Sequence, residues 1–161
     1  MGERGFSLVE MLTVLAIMGI LLAIAVYNWQ VLKMKSDVES QIKQIHADLM
    51  ELRLQALYSK TPRSVIISGT QYKVYATDDT SGAPRETKNL KYPIVWNSSG
   101  ALTFDAQGLT NGTERTLCVL PTNDPTVVNA ADVDSIVVSQ ARLNLGKRRG
   151  GDCKSANIDQ K

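Results

Sequence analysis

Hydrophobic and polar residues follow three different rhythms along this chain. From Met11 to Tyr27 there is no charge in seventeen residues, and Thr13 is the one strongly polar side chain among them. Joined to Phe6–Val9 the run is about 22 residues, or ~33 Å of helix, long enough to cross the hydrocarbon core of a bilayer. Further on, Val38, Ile42, Ile45, Leu49, Leu52 and Ala56 recur at spacings of four and three, the signature of one apolar helix stripe. Lys35, Asp37, Glu39, Lys43, Asp48, Glu51 and Arg53 fill the intervening positions. No Gly or Pro interrupts 21–59, and Thr61-Pro62 is a stop signal. The pattern predicts one helix over 6–59, apolar all round in its first half and one-faced in its second. A two-stranded coiled coil competes for the second half, although no sustained charge pairing flanks the stripe.

Beyond Pro62 the period shortens to two, in β-rich runs bounded by turn formers. Arg63–Ser68 and Gln71–Thr77 flank Gly69-Thr70, which predicts a hairpin; Tyr92–Trp96 and Ala101–Asp105 flank 97–100, which predicts another. The polar stretch 78–89 reads as a loop. Arg115–Leu120 and Asp134–Ser139 read as strands separated by the loop 121–132, with Arg142–Leu145 as a last one. Tyr75, Trp96 and Phe104 are expected in the core. The fold class is therefore α+β, a long N-terminal helix packed on an antiparallel sheet around a single core.

Composition narrows the chemistry. The 161 residues carry 18 Lys+Arg against 16 Asp+Glu, a net charge of +2 that names no partner. The cations gather late: Arg142, Lys147, Arg148, Arg149, Lys154 and Lys161 face only Asp152 and Asp159 within 142–161. Glycines at 146, 150 and 151 suggest that this basic end is flexible and solvated. One histidine, His46, and two cysteines, Cys118 and Cys153, leave little for metal or nucleophile chemistry. There is no CxxC, HxxxH, phosphate loop or dinucleotide fingerprint. His46 reads as a boundary histidine, the pair Asp78-Asp79 is weak evidence for calcium, and the sequons at Asn97 and Asn111 read more simply as turns. No enzyme, metal or cofactor is expected.

The start of the chain is the most specific signal. Ala23-Ile-Ala25 would suit an ordinary secretory cleavage site, but Glu10 puts a carboxylate inside the apolar segment and no turn former precedes Ala23. The run Gly5-Phe6-Ser7-Leu8-Val9-Glu10, behind the short charged leader Met1–Gly5, resembles the class III signal of type IV prepilins and type II secretion pseudopilins. That resemblance implies the pilin fold, with a leader at 1–5 and a transmembrane and assembly segment at 6–27. An amphipathic half-helix would occupy 28–60 and a periplasmic β-rich domain 61–161. It implies cleavage between Gly5 and Phe6 by prepilin peptidase and N-methylation of Phe6. Glu10 would then pair with the Phe6 amine of a neighbouring subunit; pairing within its own chain is the alternative.

The segments Ala101–Gly108, Leu117-Cys118-Val119 and Ser135–Leu145 before Cys153 resemble the GspH/FimT/FimU group of minor pilins and pseudopilins. The chain departs from major pilins in lacking a proline after the AIA stretch, and from the group in having Ala141-Arg142 where Gly-Arg is common. The implied partners are other pilins in a filament, prepilin peptidase and an inner-membrane assembly platform. The implied location is the inner membrane, single-pass, and then the pilus or pseudopilus. In an oxidising periplasm Cys118 and Cys153 would pair as a disulfide, with two free thiols as the alternative. FimT-like members bind DNA through a basic C-terminal region, which here would be Arg142, Lys147, Arg148, Arg149 and Lys154; a solvated basic terminus is the simpler reading.

Overall fold

The structure is a computed structural model that describes residues 6–122, 124 and 127–161, apart from the side chains of Ala25 and Tyr27. It divides into two compact units, Met1–Met34 and Lys35–Lys161. One helix, α1 (Leu8–Ser59), contributes to both. In the first unit the described side chains are solvent-facing, and Leu8, Leu12, Leu15, Leu22 and Trp29 are each more than half exposed. This is the segment long and apolar enough to cross a membrane, and none of it is buried within the chain.

In the second unit α1 behaves as the stripe requires. Val38, Ile42, Ile45, Leu49, Leu52 and Ala56 are all buried and share one core with Val65, Tyr72, Ile94, Leu102, Phe104, Leu117, Val119, Ile136 and Val138. The helix ends where the sequence indicates. Lys60 takes a left-handed φ of 53°, the conformation that commonly terminates a helix, and Pro62 follows. The sheet has seven strands, β1 (Arg63–Tyr75), β2 (Glu86–Trp96), β3 (Leu102–Phe104), β4 (Arg115–Val119), β5 (Ser135–Val138), β6 (Leu143–Arg148) and β7 (Ile158–Gln160). Their order is β3-β1-β2-β4-β5-β6-β7, and every pairing is antiparallel. Tyr75 and Phe104 are buried as expected, and Trp96 packs half-buried against the core.

Four expectations need correction. Gly69-Thr70 is not a hairpin turn: β1 runs through it as one strand. Gly69 adopts φ 56° beside a register break, where Gly69 faces Ile94 but Gln71 faces Asn89. The inward set changes there from Val65 and Ile67 to Tyr72 and Val74, which is what a bulge does to a strand whose side chains alternate between faces. The stretch 78–89 is not all loop, because β2 begins at Glu86. Its early residues are polar because this end of the strand faces a charged helix surface, where Lys88 bonds Asp48 at 3.0 Å.

The second hairpin is also absent. β3 pairs with β1, Arg63 opposite Phe104, while β2 pairs with β4, Ile94 opposite Val119. Finally, the C-terminal end is not a flexible tail. β6 extends to Arg148, and β7 adds the last strand of the sheet. A Cβ at Gly146 would lie 2.3 Å from Ile158 Cγ2, so that glycine marks close approach of two strands rather than freedom.

The register break in β2 is bridged from α1. The Gln41 side chain donates to Tyr92 O at 2.8 Å and accepts from Tyr92 N–H at 2.8 Å. Its amide thus replaces the strand that is missing opposite Tyr92. Pro93, which has no N–H to offer a ladder, follows, and its C=O accepts from Leu120 N–H at 3.0 Å where the pairing with β4 begins.

Candidate functional site

The first turn of α1 carries Glu10, the only carboxylate between Phe6 and Met34. Leu8 opens the helix, two residues after Phe6, so Phe6 and Ser7 lie just outside it. Met11 N–H bonds Ser7 O at 3.2 Å, and the Thr13 hydroxyl donates back to Glu10 O at 2.9 Å. Both bonds satisfy the local backbone and leave the carboxylate alone. The Glu10 side chain is exposed, and among the described residues nothing donates to it or pairs with it. Gly5, the other half of the expected cleavage site, lies outside the described residues. A helix N-terminus favours an anion at this position, but in hydrocarbon that carboxylate still costs roughly 2.5–3.5 kcal/mol on insertion scales.

Cys118 and Cys153 form a disulfide with a Cα–Cα separation of 5.9 Å. It joins β4 to the segment between β6 and β7, within a small apolar cluster that includes Val137 and Ile158. The segment is thereby fixed to the middle of the sheet rather than left as a tail.

The five basic residues of the expected DNA-binding set do not form one surface. Arg148 is fully buried, its guanidinium donating to Gly151 O and Val127 O, each at 2.7 Å. Lys147 bonds Asn129 O at 2.7 Å and the buried Asp134 carboxylate at 2.9 Å. Arg149 is paired with Asp159; the bond holds the arginine above its ordinary pKa and the aspartate below the usual carboxylate range. Lys154 pairs with Asp152 at 3.0 Å, and Arg142 stands exposed in the turn before β6. The cations and two of their anions, Asp152 and Asp159, were visible in the sequence; their pairing, and the buried Asp134 that holds Lys147, were not.

Asp134 is the functional group that sequence reading missed. Wholly buried, it accepts from the Ser135 hydroxyl at 2.6 Å, Arg148 N–H at 2.8 Å and Asn129 Nδ2 at 3.0 Å, besides Lys147. The one signal for it was an acidic residue set against the apolar run 136–138. Each donor compensates part of the cost of burying the charge, and together they tie the loop before β5 to β6.

His46 places Nε2 3.0 Å from Leu143 O, so it links α1 to the sheet. Asp79 accepts from Ser81 N–H at 2.9 Å, and that bond holds its carboxyl below the usual range. Among the described residues no group of His, Cys, Asp and Glu is placed to hold a metal ion. A polar cleft of about 170 Å³ lies between α1 and the β1–β2 pair, with Asp48, Glu51, Arg85, Glu86 and Lys88 in its walls and Tyr72 beneath. Burial, reinforced by the Asp48, Glu86 and Glu51 carboxylates, pushes the Tyr72 hydroxyl well above its ordinary pKa, so it stays protonated.

Residues 1–26 match the family model described as the prokaryotic N-terminal methylation motif. No curated protein matches the chain. Among solved structures it is similar to the type IV minor pilin FimU of Pseudomonas aeruginosa strain PAO1, in two crystal forms. For the P21 form the TM-score is 0.58 at 19% identity, over 81% of this chain and 98% of that one. For the P65 form it is 0.54 at 19% identity, over 76% and 98%. A methylation motif thus heads a chain with the pilin fold, and the chain is pilin-like in both respects.

Proposed function

We propose that this chain is a minor pilin or pseudopilin, a structural subunit that polymerises into a type IV pilus or a type II secretion pseudopilus and initiates or caps that filament. The observation that carries the reading is the first unit: an apolar helix with none of its described side chains buried, whose single carboxylate has no partner among the described residues. Such a helix needs a second solvent. Before assembly that solvent is the inner membrane, with the sheet domain, 61–161, in the periplasm. After assembly it is the helices of neighbouring subunits, reached through the peptidase and the assembly platform.

In this scheme prepilin peptidase removes residues 1–5 by cutting between Gly5 and Phe6, and the new Phe6 amine is methylated. Glu10 of an incoming subunit meets the Phe6 ammonium of one already in place. Neutralising a carboxylate in an apolar bundle makes the correct vertical register favourable and a shifted one costly. Gly19, Ala16 and Ala23 allow helices to approach closely. The sheet domain performs no chemistry; it is a folded body that sets the subunit's outer contacts.

The test is intact mass and N-terminal sequencing of the mature protein from membranes and sheared filaments. The expected result is a chain beginning at Phe6 and carrying one methyl group. A chain beginning at Val26 lacks both Glu10 and the anchor and would overturn the proposal.

A further inference from the structure

We propose that Asn111 is a site of spontaneous modification, converted through a cyclic imide with Gly112 into a mixture of aspartate and isoaspartate. Asn111 and Gly112 lie exposed in the loop between β3 and β4. Gly112 has φ 83°, and nothing lies within 4 Å of where a Cβ would stand, so neither a side chain of its own nor a packed neighbour crowds this residue. The Gly112 N–H makes no hydrogen bond with any described residue. The nucleophile is therefore free and unshielded.

Asn111 Oδ1 accepts a long bond, 3.5 Å, from the Thr113 hydroxyl, which leaves its Nδ2 unengaged among the described residues, and the other described asparagines are held more firmly. Asn97 accepts from Thr116 N–H at 2.9 Å, and Asn129 is bonded through both ends of its amide, to Asp134 and to Ala131 N–H. Asn144 donates to Gln160 and Asn157 to Asp152 O. Asn28 sits in α1 and Asn89 in the β1–β2 ladder. Each of these is followed by a residue with a side chain, which crowds the attacking nitrogen.

In the reaction the Gly112 backbone nitrogen gives its proton to water and bonds to Asn111 Cγ. The Cγ–Nδ2 bond breaks, and the amide nitrogen takes a proton from water and leaves as ammonia. Water then opens the imide. Attack at the side-chain carbonyl restores the normal main chain with an aspartate; attack at the main-chain carbonyl leaves isoaspartate, with one carbon more in the backbone. No oxidant or cofactor takes part. Either product lowers the formal net charge from +2 by one unit. The lengthened backbone begins directly after Thr110, whose N–H is bonded to Gln140 O at 3.0 Å and which bridges to Phe104.

The test is to incubate the full-length protein in detergent in mildly alkaline buffer. Charge variants are followed by ion exchange and located by peptide mapping, with isoaspartyl methyltransferase labelling of the products. Conversion is expected at Asn111 about tenfold faster than at Asn97 or Asn129, which must first give up hydrogen bonds. Asn111→Gln should remove the early acidic variant, and Gly112→Ala should slow its formation. An unmodified Asn111 peptide, or conversion at the same rate in Asn111 and in the held asparagines, would overturn the proposal. So would an early acidic variant that persists in Asn111→Gln, a substitution that leaves the loop's positive-φ glycine untouched.

Discussion

The first half of α1 is the more apolar of the two, and the two halves meet opposite fates. In the second half one apolar stripe runs along the helix, and every member of it is buried against the sheet, while Met50, Leu54 and Tyr58 lie exposed off it. In the first half apolar residues cover all sides, and among the described side chains none is buried. The difference lies in arrangement as well as amount: a stripe can be satisfied by one sheet, whereas a helix apolar all round requires an environment that surrounds it. The second half is therefore complete within its own fold, and the first half is not.

The strongest way to break this comparison is Glu10→Val. The substitution removes the one carboxylate of the first half and leaves the second half untouched. Membrane insertion and the unfolding curve of the sheet domain should stay unchanged, while recovery of the subunit in sheared filaments falls to background. Recovery at the wild-type level would show that the carboxylate is dispensable.

The next effect belongs to the folded unit alone. Replacing Cys118 and Cys153 with alanine releases a closed loop of 35 residues and should cost about 4 kcal/mol of stability in the chain-entropy model. Denaturant unfolding of the full chain in detergent measures it.

Leu49→Ala and Leu15→Ala sharpen the contrast at equal chemistry. Leu49 is fully buried, and its truncation should destabilise the unit by about 2–5 kcal/mol. Leu15, exposed, should change the same unfolding midpoint by less than about 0.5 kcal/mol. Similar shifts for the two would erase the distinction between the halves.

The smallest effect is electrostatic and again confined to the second unit. Asp132, bonded to Lys35, and Asp159, bonded to Arg149, are held below the usual carboxylate range. Unfolded, they bind protons more readily, so their contribution is fully present above about pH 4 and is lost as pH falls through their lowered folded values. Asp132→Asn with Asp159→Asn should flatten the acid limb of a stability–pH curve. An unchanged limb would show that solvent screens both pairs.

The sequence made the helix legible because its signals agree. The periods, the absence of breakers over 21–59 and the Thr61-Pro62 stop all point the same way, and α1 ends at Ser59. The core stripe was readable for the same reason. The strand partners were not, since local turn formers say where a chain bends but not which edge it meets. Gly69 looked like a turn and is a bulge, and β3 crossed to β1 instead of returning to β2. The pairing of the C-terminal cations was not legible: Asp152 and Asp159 stood in the same stretch with no sign of which cation each meets, and Asp134, which holds Lys147, lies outside it. Glu10 was readable from sequence alone, because a charge in an apolar run is conspicuous without any fold.

The Gln41 amide has a mechanical consequence. It grips Tyr92 by both its N–H and its C=O, so the second half of α1 cannot rotate or slide by one residue without breaking two bonds together. A pull or twist on that part of the helix reaches β2 as shear across a pair of parallel bonds, and passes from β2 into the ladders on either side. The helix is keyed to the sheet as a shaft is keyed to its hub, and a load carried by one is carried by both.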